Sequence, residues 1–343
     1  MKLEKQRDTM EPTSGVSMLE REGNRILNEK GHEVNLHGVS TADPKRISTN
    51  RSRKSEKILE HASSREEGWY SNVVRLPCQP IDIGGNTHGS NPEPPAFTRS
   101  ELERYVERYL EPSVSLLESR GVYCIIDYHR HRWRDYTDSG LDEEIRSFWE
   151  IVAGMFNEHD NVIYELYNEP VGPYEGNPSE KDSEAVETWK TWRDTARPWL
   201  ETLRTEDPDS LVIIGSPRWS QFTALAPDYE FDDDNVIYSG HCYVHPGLRP
   251  LEDYFGKPSR EVPVIMSEWG YGSEGPEYLE GTTENHGRGF IEMLTEYDIH
   301  SVAWCFDSVW GPRIFDDEWN LLEGNRYHGG LVKEYVKDQN SSV

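Results

Sequence analysis

The chain has 343 residues, 35% of them hydrophobic, and a formal charge of −27 from 63 Asp and Glu against 36 Lys and Arg. That is enough apolar material for one large domain or two smaller ones. The acids run along the whole length, which excludes a discrete acidic tail, and the balance excludes broad electrostatic attraction to nucleic acid or an anionic membrane.

Arginine far outnumbers lysine. Scarce lysine beside abundant acid points to adaptation to high salt, where screening removes the self-repulsion of the surface. The plainer reading is an acidic, very soluble surface. No apolar stretch is long enough to span a bilayer, and MKLEKQRDTMEPTSG has neither an apolar h-region nor a twin arginine. As it reads, the chain carries no export signal. Secretion is nevertheless expected if its substrate is an extracellular polymer.

Residues 1–18 read as a loose tail, and LEREGNRILNEKGHEVNL as a small β-hairpin leading into the first long strand. Eight β-rich apolar runs follow: EVNLHGVS (33–40), SNVVRLPC (71–78), YCIIDYHR (123–130), VIYELYNE (162–169), LVIIGSP (211–217), NVIYSGHCY (235–243), VPVIMSEWG (262–270) and SVAWCFD (301–307). Their weak alternation suits strands covered on both faces. Amphipathic helical patterns lie between them. Ser100 is placed to cap a helix through ELERYVERYLEPSVSLLESR, which Pro112 should kink or split. Others are LDEEIRSFWEIVAGMF, SEAVETWKTWRDTARPWLETLR, ENHGRGFIEMLTEY and LVKEYVKD.

Eight strands alternating with helices argue for one (β/α)₈ TIM barrel over residues 19–340. A doubly wound open sheet is the competitor, but no glycine-rich phosphate loop follows the first strand. Cys78, Cys124, Cys242 and Cys305 sit in apolar runs without a CxxC pair and read as buried free thiols.

In such a barrel, functional groups gather at the C-terminal ends of strands. Arg75 ends the second run, Asp127, His129 and His131 the third, and Asn168 and Glu169 the fourth. His241 and Tyr243 end the sixth, Glu268 and Trp269 the seventh, and Trp304 and Asp307 the eighth. Each alone is most simply a rim or core residue. Six strand ends with convergent polar groups are hard to explain by packing, because burying such groups is costly unless they serve one another or a ligand. Glu169 and Glu268 lie three strands apart and so face each other across the mouth. Paired carboxylates suit acetal hydrolysis, in which one donates a proton and the other stays ionised. Arg75 and Tyr243 are placed to hold one of them anionic.

VRLP with Arg75, DYH with His129, NEP with Glu169, His241-x-Tyr243, SEWG with Glu268, and Trp304 together resemble glycoside hydrolase family 5, the cellulase family of retaining (β/α)₈ glycosidases. The resemblance runs from about residue 24 to 310 and includes LHGVS in the first strand. It implies that Glu169 is the general acid and then base, and that Glu268 is the nucleophile. Asn168 would bond the sugar 2-hydroxyl, and Arg75 and Tyr243 would align Glu268. His129 and His241 would line the subsite of the attacked sugar, and Trp304, followed by a cis peptide to Cys305, would form its floor. No cofactor or metal is implied.

Trp133, Trp219, Trp269, Trp310 and Trp319 follow strand ends and are possible sugar platforms. The Gly- and Pro-rich loop of residues 79–98 is placed to wall a cleft. The expected partner is a polysaccharide or oligosaccharide, bound by a monomer. SPRWSQ favours a β-1,4-glucan over mannan or another β-glycan.

Two other classes compete. His129-x-His131 with Asp307 has the form of a metal-dependent amidohydrolase site, but on the wrong strand. A carbohydrate-binding protein without catalysis would not need both glutamates. The basic stretch KRISTNRSRKSEK (45–57) reads as a solvated helix offsetting nearby acids, rather than as a site for an anionic partner.

Overall fold

The computed structural model describes residues 16–85, 92–130, 133–245 and 247–341. A hairpin of β1 (Leu19–Glu22) and β2 (Arg25–Asn28) comes first, paired antiparallel. Eight strands follow: β3 (His37–Ser40), β4 (Val73–Cys78), β5 (Tyr123–Tyr128), β6 (Val162–Glu165), β7 (Val212–Ile214), β8 (Val236–Cys242), β9 (Val264–Trp269) and β10 (His300–Trp304). They are parallel and close into a barrel in the order β10-β3-β4-β5-β6-β7-β8-β9. All are buried along their length, as strands filled inside and covered by helices outside must be.

Side chains of a strand alternate between faces, so each barrel strand sends every second residue inward. Val73, Ile125, Ile163, Ile213, Ile237, Ile265 and Val302 form one apolar cluster inside the barrel. Val16, Leu19 and Ile26 belong to it and close its N-terminal end. The end of the expected loose tail is therefore tied down: Val16 is buried, and the Tyr123 hydroxyl donates to the Ser17 carbonyl at 2.9 Å. The first fifteen residues lie outside the described part. A second, larger cluster joins the outward residues, such as Val74, Leu76, Ile126, Tyr164 and Met266, to the helices.

The helix after β4 corrects two expectations. Thr98, not Ser100, caps it, in a capping box with Glu101 whose carboxylate accepts the Thr98 N–H at 2.8 Å. Pro112 does not split it. Helical turns at Arg99–Tyr105 and Glu111–Ser119 are joined by a π-helical turn, Val106–Leu110. The wider turn just ahead of Pro112 accommodates a residue that cannot donate to the ladder.

The basic stretch is also more than a solvated helix. It forms two helices, Pro44–Asn50 and Ser55–Ala62, and two of its arginines are built into the barrel mouth. Arg51 makes a bidentate pair with fully buried Asp307 at 2.7 and 2.6 Å, and Arg46 binds Asp82 at 2.9 and 2.8 Å.

Candidate active site

The inward face that is apolar near the barrel floor turns polar two residues further along the same strands. Val73 is followed by Arg75, Ile125 by Asp127, Ile163 by Glu165 and Ile265 by Ser267, all four polar residues being fully buried. Side-chain parity thus stacks an ionic layer directly on the hydrocarbon one.

Arg75 sits at the centre of that layer. It donates to Glu165 at 2.5 Å, to Glu268 at 2.8 Å and to the Asn168 side-chain oxygen at 2.7 Å, and it lies 2.9 Å from Asp127. Burial works against every charge here, so the signs of the shifts come from partners. Burial alone would raise Glu165, but the guanidinium of Arg75 and the imidazole of His241 bring it down to about 2. Asp127 goes the other way: burial, with Glu165 and Glu169 close by, pushes it well above the carboxylate range despite Arg75.

A bulge aims the next residues. The pairing of β8 with β9 slips between Gly240 and His241, so that Gly240 pairs with Met266 and His241 with Glu268. The extra residue, Ser267, points inward. It donates to Glu165 at 2.7 Å and lies 2.9 Å from His241 Nε2 and 2.6 Å from the Ser239 hydroxyl. One donor and two lone pairs of Ser267 are thereby used.

His241 Nδ1 is 3.0 Å from Glu169 Oε1 and 3.6 Å from Glu268 Oε2. Burial disfavours its charge, but Glu268, Glu165 and Glu169 together raise its pKa to about 10. A cationic ring donates from both nitrogens, one to Glu169 and one to Ser267. The Tyr243 hydroxyl donates to the same Glu268 Oε2 at 2.7 Å, while Arg75 holds Oε1.

One oxygen each of Glu169 and Glu268 and one nitrogen of His241 all lie within 4.8 Å of one another. Such a triad has the spacing of a metal site. Here its donors already serve a proton on His241 and the guanidinium of Arg75, which makes it a poor cation cage. The amidohydrolase reading fares no better. His129 Nδ1 is turned onto Asp127 at 2.6 Å, Asp307 is taken by Arg51, and His131 lies outside the described residues.

The carboxylates stand in a cleft of about 1130 Å³, at the upper end of or beyond the ~300–1,000 Å³ typical of small-molecule pockets. Its wall includes His129, Trp304 and Trp310 on one flank and Tyr174, Trp219 and Gln221 on another. The Trp304 ring runs nearly parallel to His129, with centroids 5.5 Å apart, and within 20° of Trp310 at 5.8 Å, and its peptide to Cys305 is cis. Tyr174, Tyr278 and Val309, exposed by 40, 41 and 56%, give the rim apolar surface. Of the loop after β4, Gln79, Pro80 and Ile81 reach the cleft, and residues 86–91 lie outside the described part.

Three tryptophans offered as platforms are not in the wall. Trp269 points outward from β9 and packs on Phe290 at 4.9 Å. Trp319 is buried against Phe315, under Arg53. Trp133 is half-buried with the Arg130 guanidinium 4.9 Å over its ring. Parity after the bulge explains Trp269, since Ser267 and Glu268 use the inward positions. The residues overlooked in sequence are Glu165, Ser239 and Ser267. Their signal was there: each stands two places after an inward isoleucine.

A parallel eight-stranded barrel with two carboxylates and an arginine converging at the strand ends is the architecture of a barrel glycosidase. The model of the cellulase family, glycosyl hydrolase family 5, matches residues 27–309, and the chain belongs to that family. It is 28% identical over 304 residues to Endoglucanase N of Pectobacterium atrosepticum, and 28% identical over 304 residues to Endoglucanase 5 of Pectobacterium carotovorum. Each alignment takes in 85% of this chain but only 58% and 51% of those relatives, so the chain spans little more than half their length. Among solved structures, β-glucanase SdGluc5_26A from Saccharophagus degradans superposes with a TM-score of 0.76 at 18% identity, covering 99% of this chain and 98% of that one. The catalytic domain of Thermobifida fusca endoglucanase Cel5A gives 0.69 at 18% identity, covering 93% and 97%.

Proposed function

We propose that the protein is a retaining endo-β-1,4-glucanase in which Glu268 is the nucleophile and Glu169 the general acid and base. The observation that carries this reading is the approach of the two carboxylates within 4.8 Å at the floor of a cleft walled by aromatic rings. That proximity suits double displacement, which needs carboxyl groups about 5–5.5 Å apart, better than inversion, which needs about 6.5–9.5 Å to seat a water. The relatives named endoglucanases support glucan as the polymer.

Glu268, aligned by Arg75 and Tyr243, attacks the anomeric carbon, while Glu169 gives its proton to the glycosidic oxygen and the leaving chain departs. Glu169, now anionic, takes a proton from water as that water attacks the same carbon and frees Glu268. His241 steadies Glu169 through both steps by its bond to Oε1. The Asn168 side-chain nitrogen is buried without a partner among the described residues, while its oxygen is held by Arg75. An idle donor beside the acid suits the sugar 2-hydroxyl. His129 and Trp304 supply the wall and floor for the attacked ring.

Glu268→Gln and Glu169→Gln should each cut hydrolysis of a soluble β-1,4-glucan by at least ~10²–10⁴-fold in a reducing-sugar assay. A substrate with an activated leaving group should recover its first step in Glu169→Gln only. Near-normal turnover by either variant refutes the assignment, and faster cleavage of mannan than glucan by the parent enzyme refutes the polymer.

A further inference from the structure

After β7 the chain reads Pro217-Arg218-Trp219-Ser220, and Arg218, Trp219 and Ser220 have φ of +56, +56 and +57°. Three successive non-glycine residues in the left-handed region are each unfavourable, and such conformations persist only where the surroundings impose them. Here the imposing partner is the segment that carries Glu169. The Arg218 N–H donates to the Val171 carbonyl at 3.1 Å, the Trp219 N–H to Pro170 at 3.0 Å, and the Ser220 hydroxyl to Asn168 at 3.0 Å. Gly215 permits the approach, since a Cβ there would lie 2.8 Å from the Tyr167 carbonyl and 2.9 Å from the Ser220 hydroxyl. The turn holds Arg218 and Trp219 in the cleft wall beside Val171 and Tyr174.

That wall continues from the general acid, so it receives the leaving part of the substrate. Two guanidinium groups stand on it. Arg218 lies 5.9 Å over the Tyr174 ring, and no carboxylate among the described residues comes within 4.0 Å of it. Arg134 also lines the cleft without an ion pair among the described residues, and its carbonyl borders the same loop at Gly172. Arg46, by contrast, is neutralised by Asp82, and the wall's other acid outside the catalytic pair, Glu274, comes from the loop after β9. A neutral glucan offers hydroxyls, for which amides and aromatic faces suffice. A planar guanidinium is matched to a carboxylate.

We propose that Arg218 and Arg134 form a subsite on the leaving-group side for a sugar unit that bears a carboxylate. The natural substrate is then an acidic β-glycan, or a glucan with anionic substituents. This rests on the glucanase reading above and narrows it.

The test compares kcat/KM on carboxymethylcellulose and on neutral hydroxyethylcellulose, at fixed low ionic strength, for the parent enzyme, Arg218→Gln, Arg218→Lys and Arg134→Gln. Exposed charge pairs are weak, so the anionic-to-neutral ratio should fall about fivefold in Arg218→Gln and about twofold in Arg134→Gln. Arg218→Lys should restore part of it. A ratio equal in parent and variants overturns the proposal. If Arg218→Gln loses both polymers together, the turn has been broken and Arg134→Gln decides: a lower ratio supports the subsite, an unchanged one overturns it. Failure of the parent enzyme on both polymers would instead sink the glucanase reading.

Discussion

The barrel floor and the barrel mouth are built from the same strands and the same inward face, two residues apart. At the floor, Val73, Ile125, Ile163 and Ile265 bury hydrocarbon against hydrocarbon. At the mouth, Arg75, Asp127, Glu165 and Ser267 bury charge and hydroxyl against one another. Hydrocarbon burial stabilises the fold outright, whereas the ionic layer loses hydration and recovers it only while every member keeps its partner. The floor therefore tolerates change gradually and the mouth abruptly, and it is the mouth that holds the two glutamates at a fixed separation.

Removing the hub should have the largest effect. Arg75→Met takes from Glu165 and Glu268 the guanidinium they share and should cost about 3–5 kcal/mol in urea unfolding, with turnover lost as well. Ile163→Ala, one layer down on β6, should cost a comparable ~2–5 kcal/mol through its cavity. The folded enzyme should then keep its kcat. If Ile163→Ala abolished kcat without unfolding the protein, the two layers would not be separable in the way described.

His241 sharpens the contrast through pH. Its folded pKa of about 10 lies above the ordinary value of 6.5. Its contribution to stability is thus complete below pH 6.5 and is lost as pH rises through about 10. The difference in melting temperature between the parent and His241→Gln should shrink between pH 6.5 and 10. A difference that stays constant would show that the ring is neutral in the folded state. The smallest effect concerns the surface rather than either layer: melting temperature should rise from dilute buffer to molar KCl, and an unchanged value removes the salt-adapted reading of the −27 charge.

Much of this was legible in the chain. The eight strands follow from eight apolar runs, and the hairpin from LEREGNRILN. The strand-end polar residues Arg75, Asn168, Glu169, His241, Tyr243 and Glu268 all converge. What was not legible depends on the third dimension. Trp269 looks like a platform until the bulge at His241 turns it outward. Glu165 hides inside an apolar run because its partner, Arg75, is 90 residues away. Arg51 reads as a surface cation until Asp307, 256 residues on, closes over it. Pro112 signals a break by local rules, and only the π-helical turn before it shows how the helix continues. Periodicity reports which face a residue takes; it does not report which charge waits opposite.

The most direct test of the paired-glutamate account is the anomeric form of the first product, followed by proton NMR during the opening minutes of cello-oligosaccharide hydrolysis. Double displacement through Glu268 predicts that the β anomer forms first and then mutarotates. Initial release of the α anomer would mean single displacement by water, and would contradict a nucleophile at position 268.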